Sequence, residues 1–239
     1  MKRIFLATCA ALLLSFLAVW LIGEDPDADL SEKERQARIA HFQSLKPRAE
    51  QGAIKAQYAI ALLYRDGIGV DKNLRAAVRW LTKAAERGHP DSQYALGRMY
   101  ENGEGGRQDI AKARELYNLA SRLGRHAEAQ FALGQLYFKG SGVPQDFAEA
   151  HVWYRKAARR GHPAAQYLMG AMFQDGWGVK SDYVEAYKWY TLAIPKASQV
   201  TAVNPSYDPL KARQLLAAKM NNFQLSQGKK RASEWRPGR

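Results

Sequence analysis

The chain repeats itself, and that repetition limits its possible folds more than any other feature. Four segments align without gaps: "AQYAIALLYRDGIGV" from Ala56, "SQYALGRMYENGEGG" from Ser92, "AQFALGQLYFKGSGV" from Ala129 and "AQYLMGAMFQDGWGV" from Ala165. Their glutamines, Gln57, Gln93, Gln130 and Gln166, follow one another at 36, 37 and 36 residues. The stretches behind them repeat too, as "NLRAAVRWLTKAAERG", "DIAKARELYNLASRLG", "DFAEAHVWYRKAARRG" and "DYVEAYKWYTLAI", the last without a closing glycine. Self-similarity at this period means one supersecondary unit stacked on its neighbours, so the core is a row of similar interfaces.

Each half of the unit has helical spacing. Ala56, Ile60, Leu63 and Tyr64 fall on one face, and so do Ala77, Trp80, Leu81 and Ala84. Asn73, Asp109, Asp146 and Asp182 stand just before the second helix, where a side-chain oxygen caps free amides. Pro90 and Pro163 suit the first turn of the helix that opens the next copy. Between the halves lies a Gly-x-Gly: Gly67/Gly69, Gly103/Gly105, Gly140/Gly142 and Gly176/Gly178. A phosphate-cradling loop needs a strand in front of its glycines, and here a helix precedes them. The glycines therefore read as a tight reversal between paired helices.

The N-terminus adds a second element. Lys2 and Arg3 precede 19 uncharged residues, Ile4 to Ile22, which as a helix would span roughly 28 Å, close to a bilayer core. Trp20-Leu21-Ile22-Gly23 is a poor cleavage site, so residues 1–23 read as an uncleaved anchor, with a cleaved signal peptide as the alternative. Basic residues before the span and Glu24, Asp25, Asp27 and Asp29 after it place the N-terminus in the cytoplasm and export the rest. In a bacterium this is a single-pass inner-membrane protein with its repeats in the periplasm, or a soluble periplasmic protein after cleavage. That placement argues against nucleic acid as the partner of a chain with 36 Lys plus Arg against 23 Asp plus Glu. Cys9 is the only cysteine, so neither an intramolecular disulfide nor a CxxC zinc site can form.

The shared pattern Ala-Gln-x-x-Leu-Gly-x-x-Tyr, Gly-x-Gly-Val, Asp, Ala-x-x-Trp-Tyr-x-x-Ala-Ala resembles the Sel1-like repeat family, relatives of tetratricopeptide repeats. The third copy matches almost throughout, while Ala61, Gly106 and Leu116 depart from the pattern and the fourth copy ends differently at Ile194-Pro195. The resemblance implies an all-α, right-handed solenoid of paired antiparallel helices whose concave face binds other proteins. The expected layout is an apolar helix over 1–23, a linker and capping helix over 24–51, and four repeats over 52–194. Residues 195–239 would then form an irregular loop and basic capping helices. Ser31 to Glu34 has the form of a capping box, "PKASQVTAVNPSYDP" from Pro195 reads as the loop, and Trp235 reads as the apolar plug of the closing helices.

Motifs for chemistry are sparse. His89, His126 and His162 open successive repeats and read as polar residues about a helix pair apart, whereas a zinc ion needs donors within about 2.0–2.1 Å. Ser92, Ser141 and Ser181 lie in no nucleophile elbow. The paired cysteines of some family members with β-lactam affinity are missing. Trp80, Trp153 and Trp189 share one repeat position and read as core. No catalytic, cofactor or metal site is expected.

Partner-binding candidates lie on the first helix of each copy, opposite its apolar face: Tyr58 and Arg65, Tyr94 and Arg98, Phe131, Gln135 and Phe138, Tyr167 and Gln174. The aromatics can form a recognition ladder or pack between repeats. Arg65, Arg98, Gln135, Phe138 and Gln174 are the sharper candidates because they differ between copies. From Pro195 onward nine Lys or Arg face only Asp208 and Glu234, a net +7 that suits an anionic lipid or glycan. The expected function is a non-enzymatic envelope adaptor that holds a protein in its groove, and the alternative is a module that binds peptidoglycan or an anionic polysaccharide.

Overall fold

The computed structural model describes residues 30–123 and 126–237, and every regular element among them is a helix. The chain divides into two compact bodies, one ending at Trp80 and the other beginning at Leu81. In the first, α1 (Glu32–Glu50) packs on α2 (Ile54–Asp66). Helix α3 (Leu74–Glu86) contains the division. In the second body the helices come in pairs: α4 (Pro90–Asn102) on α5 (Ile110–Leu123), α6 (Ala127–Lys139) on α7 (Phe147–Arg159), and α8 (Pro163–Asp175) on α9 (Tyr183–Ala193). Consecutive pairs meet through α5 with α6 and α7 with α8. These successive helix pairs are the all-α solenoid packing that the repeats predict.

Most of these helices have 13 residues, a length that is marginal in isolation, so packing and caps must hold them. Each first helix ends on a glycine in the left-handed region: φ is 74° at Gly67, 73° at Gly103, 71° at Gly140 and 77° at Gly176. The amides of Gly67, Gly140 and Gly176 close on Leu63, Leu136 and Met172. The loop then doubles back, so that Asn73, Asp109, Asp146 and Asp182 donate to the last-turn carbonyls of Tyr64, Tyr100, Tyr137 and Phe173. Their side chains meanwhile accept the amides of Ala76, Lys112, Glu149 and Glu185. The second glycine permits close approach as well: a Cβ on Gly178 would lie 2.3 Å from the backbone of Phe147. The Gly-x-Gly is a helix stop and a docking point for the loop.

Within each pair of the second body, a glycine on the first helix receives a tyrosine from the second. A Cβ on Gly97, Gly134 or Gly170 would lie 2.6, 2.5 or 2.6 Å from the rings of Tyr117, Tyr154 and Tyr190. Those three tyrosines are buried among alanines such as Ala113, Ala150 and Ala186. At the same two positions the first copy carries Ala61 and Leu81, a smaller ring-free residue where the glycine is absent.

Several readings of the sequence change. The stretch from Pro195 is not an irregular loop: it forms a 3₁₀ turn (Ile194–Lys196) and then α10 (Ala197–Val203), which packs on α8 with Val200 fully buried. Burial of that single branched side chain gives the segment a reason to order. The chain closes with α11 (Pro209–Ala217) and α12 (Asn222–Glu234), both packed on α9. Leu216, Met220 and Gly228 supply the buried contacts there, whereas Trp235 is only half-buried just past α12. Of the three repeat tryptophans, Trp189 is buried while Trp80 and Trp153 are half-exposed. The Ser31–Glu34 capping box forms as expected. The apolar span over residues 4–22 lies outside the described residues, and among those described no helix is long and apolar enough to cross a membrane.

The glycine–tyrosine fit makes a direct prediction. Gly134→Ala overpacks the α6–α7 contact and should destabilise the fold by about 1–3 kcal/mol in urea unfolding. Tyr154→Leu added to it should recover part of that loss, giving a coupling that two independent sites would not show. Purely additive effects would mean that the ring does not rest on Gly134.

Candidate functional site

The face proposed from sequence is built on joints between repeats, and the joints come first. Three of the four first helices open on a histidine, the first copy opening on Ala53: His89, His126 and His162 accept the amides of Ser92, Ala129 and Ala165 through Nδ1. A neutral ring with its proton on Nε2 is required for this. In His126 that Nε2 faces Asp91 of the preceding repeat at 3.2 Å, while Nδ1 is also 3.4 Å from Glu128. Four residues after the cap position, the buried glutamine reaches back to the end of the preceding helix. Gln57 donates to the Ala49 carbonyl at 3.1 Å, Gln93 to Ala85 at 3.1 Å and Gln166 to Ala158 at 3.2 Å. Gln130 differs, accepting from Arg160 Nε at 3.2 Å.

The candidate aromatics belong to the same joints. Tyr94 stacks on His126 with centroids 4.8 Å apart, Phe131 on His162 at 4.3 Å, and Tyr167 on Tyr207 at 4.7 Å. Of the two readings open at these positions, the geometry supports packing between repeats. Tyr58, in the first body, is half-buried.

The variable candidates divide into two sets. Arg65, Phe138 and Gln174 occupy one repeat position, together with Glu101, and three of the four contact the second helix or the loop of their own repeat. Tyr117 donates to Glu101 at 2.5 Å and Tyr190 to Gln174 at 3.3 Å. Phe138 instead packs on Phe147 and Trp177, with centroids 5.2 and 5.6 Å away. Arg65 forms a two-pronged pair with Asp66 at 2.7 and 2.8 Å. The second set, Arg98 and Gln135, is less committed. Arg98 is exposed and donates to the Tyr94 hydroxyl at a long 3.4 Å. Partial desolvation opposes its charge, but Tyr94, Tyr117 and Glu101 outweigh this and push its pKa up. Gln135 is half-exposed and its side chain makes no hydrogen bond among the described residues.

No group of three or more His, Cys, Asp or Glu among the described residues is arranged to hold a metal ion. The histidine caps were the role that sequence reasoning missed. Their signal was the recurrence of His one residue before Pro90, Ala127 and Pro163.

The pattern of the family described as Sel1 repeat matches residues 54–89, 90–124, 127–162 and 163–194. The chain belongs to the Sel1-repeat family. Among solved structures, this Sel1-repeat protein resembles c5321, described as a protective antigen present in uropathogenic Escherichia coli strains displaying an SLR fold. The TM-score is 0.70 at 33% identity, over 81% of this chain and 40% of that one. It also resembles a Sel1 repeat protein from Oxalobacter formigenes, with a TM-score of 0.63 at 32% identity, over 77% of this chain and 49% of that one. The match spans less than half the length of either relative. No curated protein matches the sequence. Sel1-repeat solenoids are in general scaffolds for protein–protein interaction.

The histidine joint predicts a pH dependence. Burial pushes the His162 pKa down to about 4, below its ordinary value near 6.5. The unfolded chain therefore takes up a proton that the folded chain refuses, and stability falls as pH drops from about 6.5 to about 4, by up to roughly 3 kcal/mol. His162→Asn, which keeps a capping side chain, should flatten that part of the profile when urea unfolding is compared at pH 7 and pH 4.5. Equal slopes for both proteins would show that His162 does not remain neutral in the fold.

Proposed function

We propose that this protein is a non-enzymatic adaptor of the bacterial envelope that holds a protein partner along the first helices of its repeats. The observation that carries this reading is the contrast between joint and surface. Tyr94, Phe131 and Tyr167 are engaged in stacking between repeats, while the neighbouring position carries Leu62, Arg98, Gln135 and Ala171 in turn. A constant frame that presents different side chains at one repeated position suits the recognition of a partner of defined sequence. In this reading the apolar segment over 4–22 tethers the repeats to the inner membrane from the periplasmic side, and its cleavage would release them there. The partner groove is the concave face implied by the family, with Arg98 and Gln135 as the leading contacts of the second body and Phe138 and Gln174 beside them; Arg65 is the candidate of the first body, taken by itself.

A second reading rests on the exposed cations of the closing helices. Lys211, Lys219, Lys229 and Arg236 are exposed, whereas Arg231 is engaged by Glu185 at 2.8 Å. Such a surface could hold peptidoglycan, an anionic polysaccharide or lipid headgroups, with binding that weakens as salt rises.

Site-specific photo-crosslinking in the native envelope separates the two. A probe at Arg98 or Gln135 should give a discrete protein adduct that a probe at the exposed Arg79 does not. Absence of any adduct at these positions, with salt-sensitive retention on isolated cell wall, would replace the adaptor with the polymer-binding module.

A further inference from the structure

The second helices carry a surface that the first-helix reading leaves unused. Between α5 and α7 lies a cleft of about 430 Å³, floored by Gln130 at the start of α6 and walled by Asn118, Arg122, Trp153, Lys156 and Arg160. It has three cations and no carboxylate among its lining residues. None of those cations forms an ion pair among the described residues.

Each donor is held differently. Arg160 is fixed through Nε by Gln130, a residue only 4% exposed, which leaves the outer edge of the guanidinium, with its two terminal nitrogens, for a carboxylate. Lys156 lies over the Trp153 ring with Nζ 3.7 Å from its centroid. The Trp153 indole N–H is buried and has no acceptor among the described residues. In the next repeat a lysine reaches the tryptophan from a different helix position, the residue before it, and is neutralised. There Lys188 lies 4.4 Å over Trp189 but is paired with Glu185, which also takes Arg231 from the closing helix. Lys156, three residues after Trp153, has no such ion pair among the described residues.

We propose that this cleft docks an acidic peptide segment of a protein partner, with a carboxylate on Arg160 and Lys156 and an adjoining apolar side chain on Leu119. The mixture of cations and apolar surface favours a peptide over a polysaccharide or a membrane. Asn118 and Arg122 also line a shallow depression along α5 that includes Leu119, an apolar residue that is 40% exposed. In that depression Asp109 and Glu115 are offset by Lys112 and Arg114, so the one cation left over is Arg122, which it shares with the cleft. The assignment rests on the adaptor reading, since it names the chemistry of a protein partner, but it places contacts on a different helix face.

The test is a titration of the full chain, labelled with ¹⁵N, with the blocked peptide acetyl-Leu-Glu-Glu-Leu-Glu-Glu-amide, read at the Trp153 indole resonance. That resonance should shift saturably. Arg122→Gln and Lys156→Gln, at exposed positions, should each weaken the peptide about three- to tenfold, and acetyl-Leu-Gln-Gln-Leu-Gln-Gln-amide should not shift it. No shift, an equal shift by the glutamine peptide, or unchanged affinity in both variants overturns the proposal. So does tighter, charge-dependent binding of polygalacturonate or phosphatidylglycerol vesicles at the same resonance, which would assign the cleft to those anions. Crosslinks at Arg98 and Gln135 read the first-helix face and are independent of every one of these outcomes.

Discussion

The rest of the fold depends on how short helices dispose of their ends. A helix leaves four amides and four carbonyls unpaired, and in a stack of repeats many of these end groups are buried where water cannot serve them. Here the solution is shared between neighbours. A histidine accepts an amide at the start of one helix, and four residues later Gln93 and Gln166 donate to a carbonyl at the end of the preceding one. Losing such a buried bond costs about 1–3 kcal/mol, comparable to the contribution of a whole core methyl-bearing contact. Each repeat thus carries the cap of the one before it, which ties the period of the sequence to the geometry of the joint.

That arrangement explains where variation is tolerated. Tyr94 and Phe131, which follow the glutamine, cannot vary freely, because their rings stack on His126 and His162 of the next repeat. One helical turn further on, at Arg98 and Gln135, the side chains project from the same frame with weak or no internal partners. At the end of the helix the choice between Glu101, Phe138 and Gln174 is coupled to the tyrosine beneath: two of these residues accept its hydroxyl and the third packs aromatic rings. Differences between copies at that position are therefore partly internal adjustments, which weakens their value as partner contacts relative to Arg98 and Gln135.

What could be read in the sequence was what depends on neighbours in the chain. The helix periods, the Asn73, Asp109, Asp146 and Asp182 caps, the proline starts and the Gly-x-Gly stops are local, and each appears at its own residues. The roles that escaped were those completed by another repeat. His126 looks like an isolated polar residue until Tyr94 and Asp91 of the preceding repeat are placed against it. The order over 197–203 depends on burial of Val200 against a helix far earlier in the chain, and no period or turn signal announces it. The α5–α7 cleft escaped for a similar reason. Arg122, Lys156 and Arg160 look like solvated charges in sequence, and only the packing of two second helices brings them to one place.

The fourth repeat shows that the joint is a requirement for contacts and not for particular residues. Its sequence ends in Ile194-Pro195 without the histidine that follows each of the other three copies, so the usual partner for Tyr167 is missing. Tyr207 supplies that ring from a non-repeating segment and stacks at 22° between planes, close to the 19° of Phe131 on His162. Gly228 then repeats the glycine–tyrosine fit on the outer helix, where a Cβ would lie 2.8 Å from Tyr187. Arg231 bridges to Glu185, the acid that already holds Lys188. The face on which another repeat would stack is thus occupied by the chain's own residues, which reproduce its contacts with different side chains.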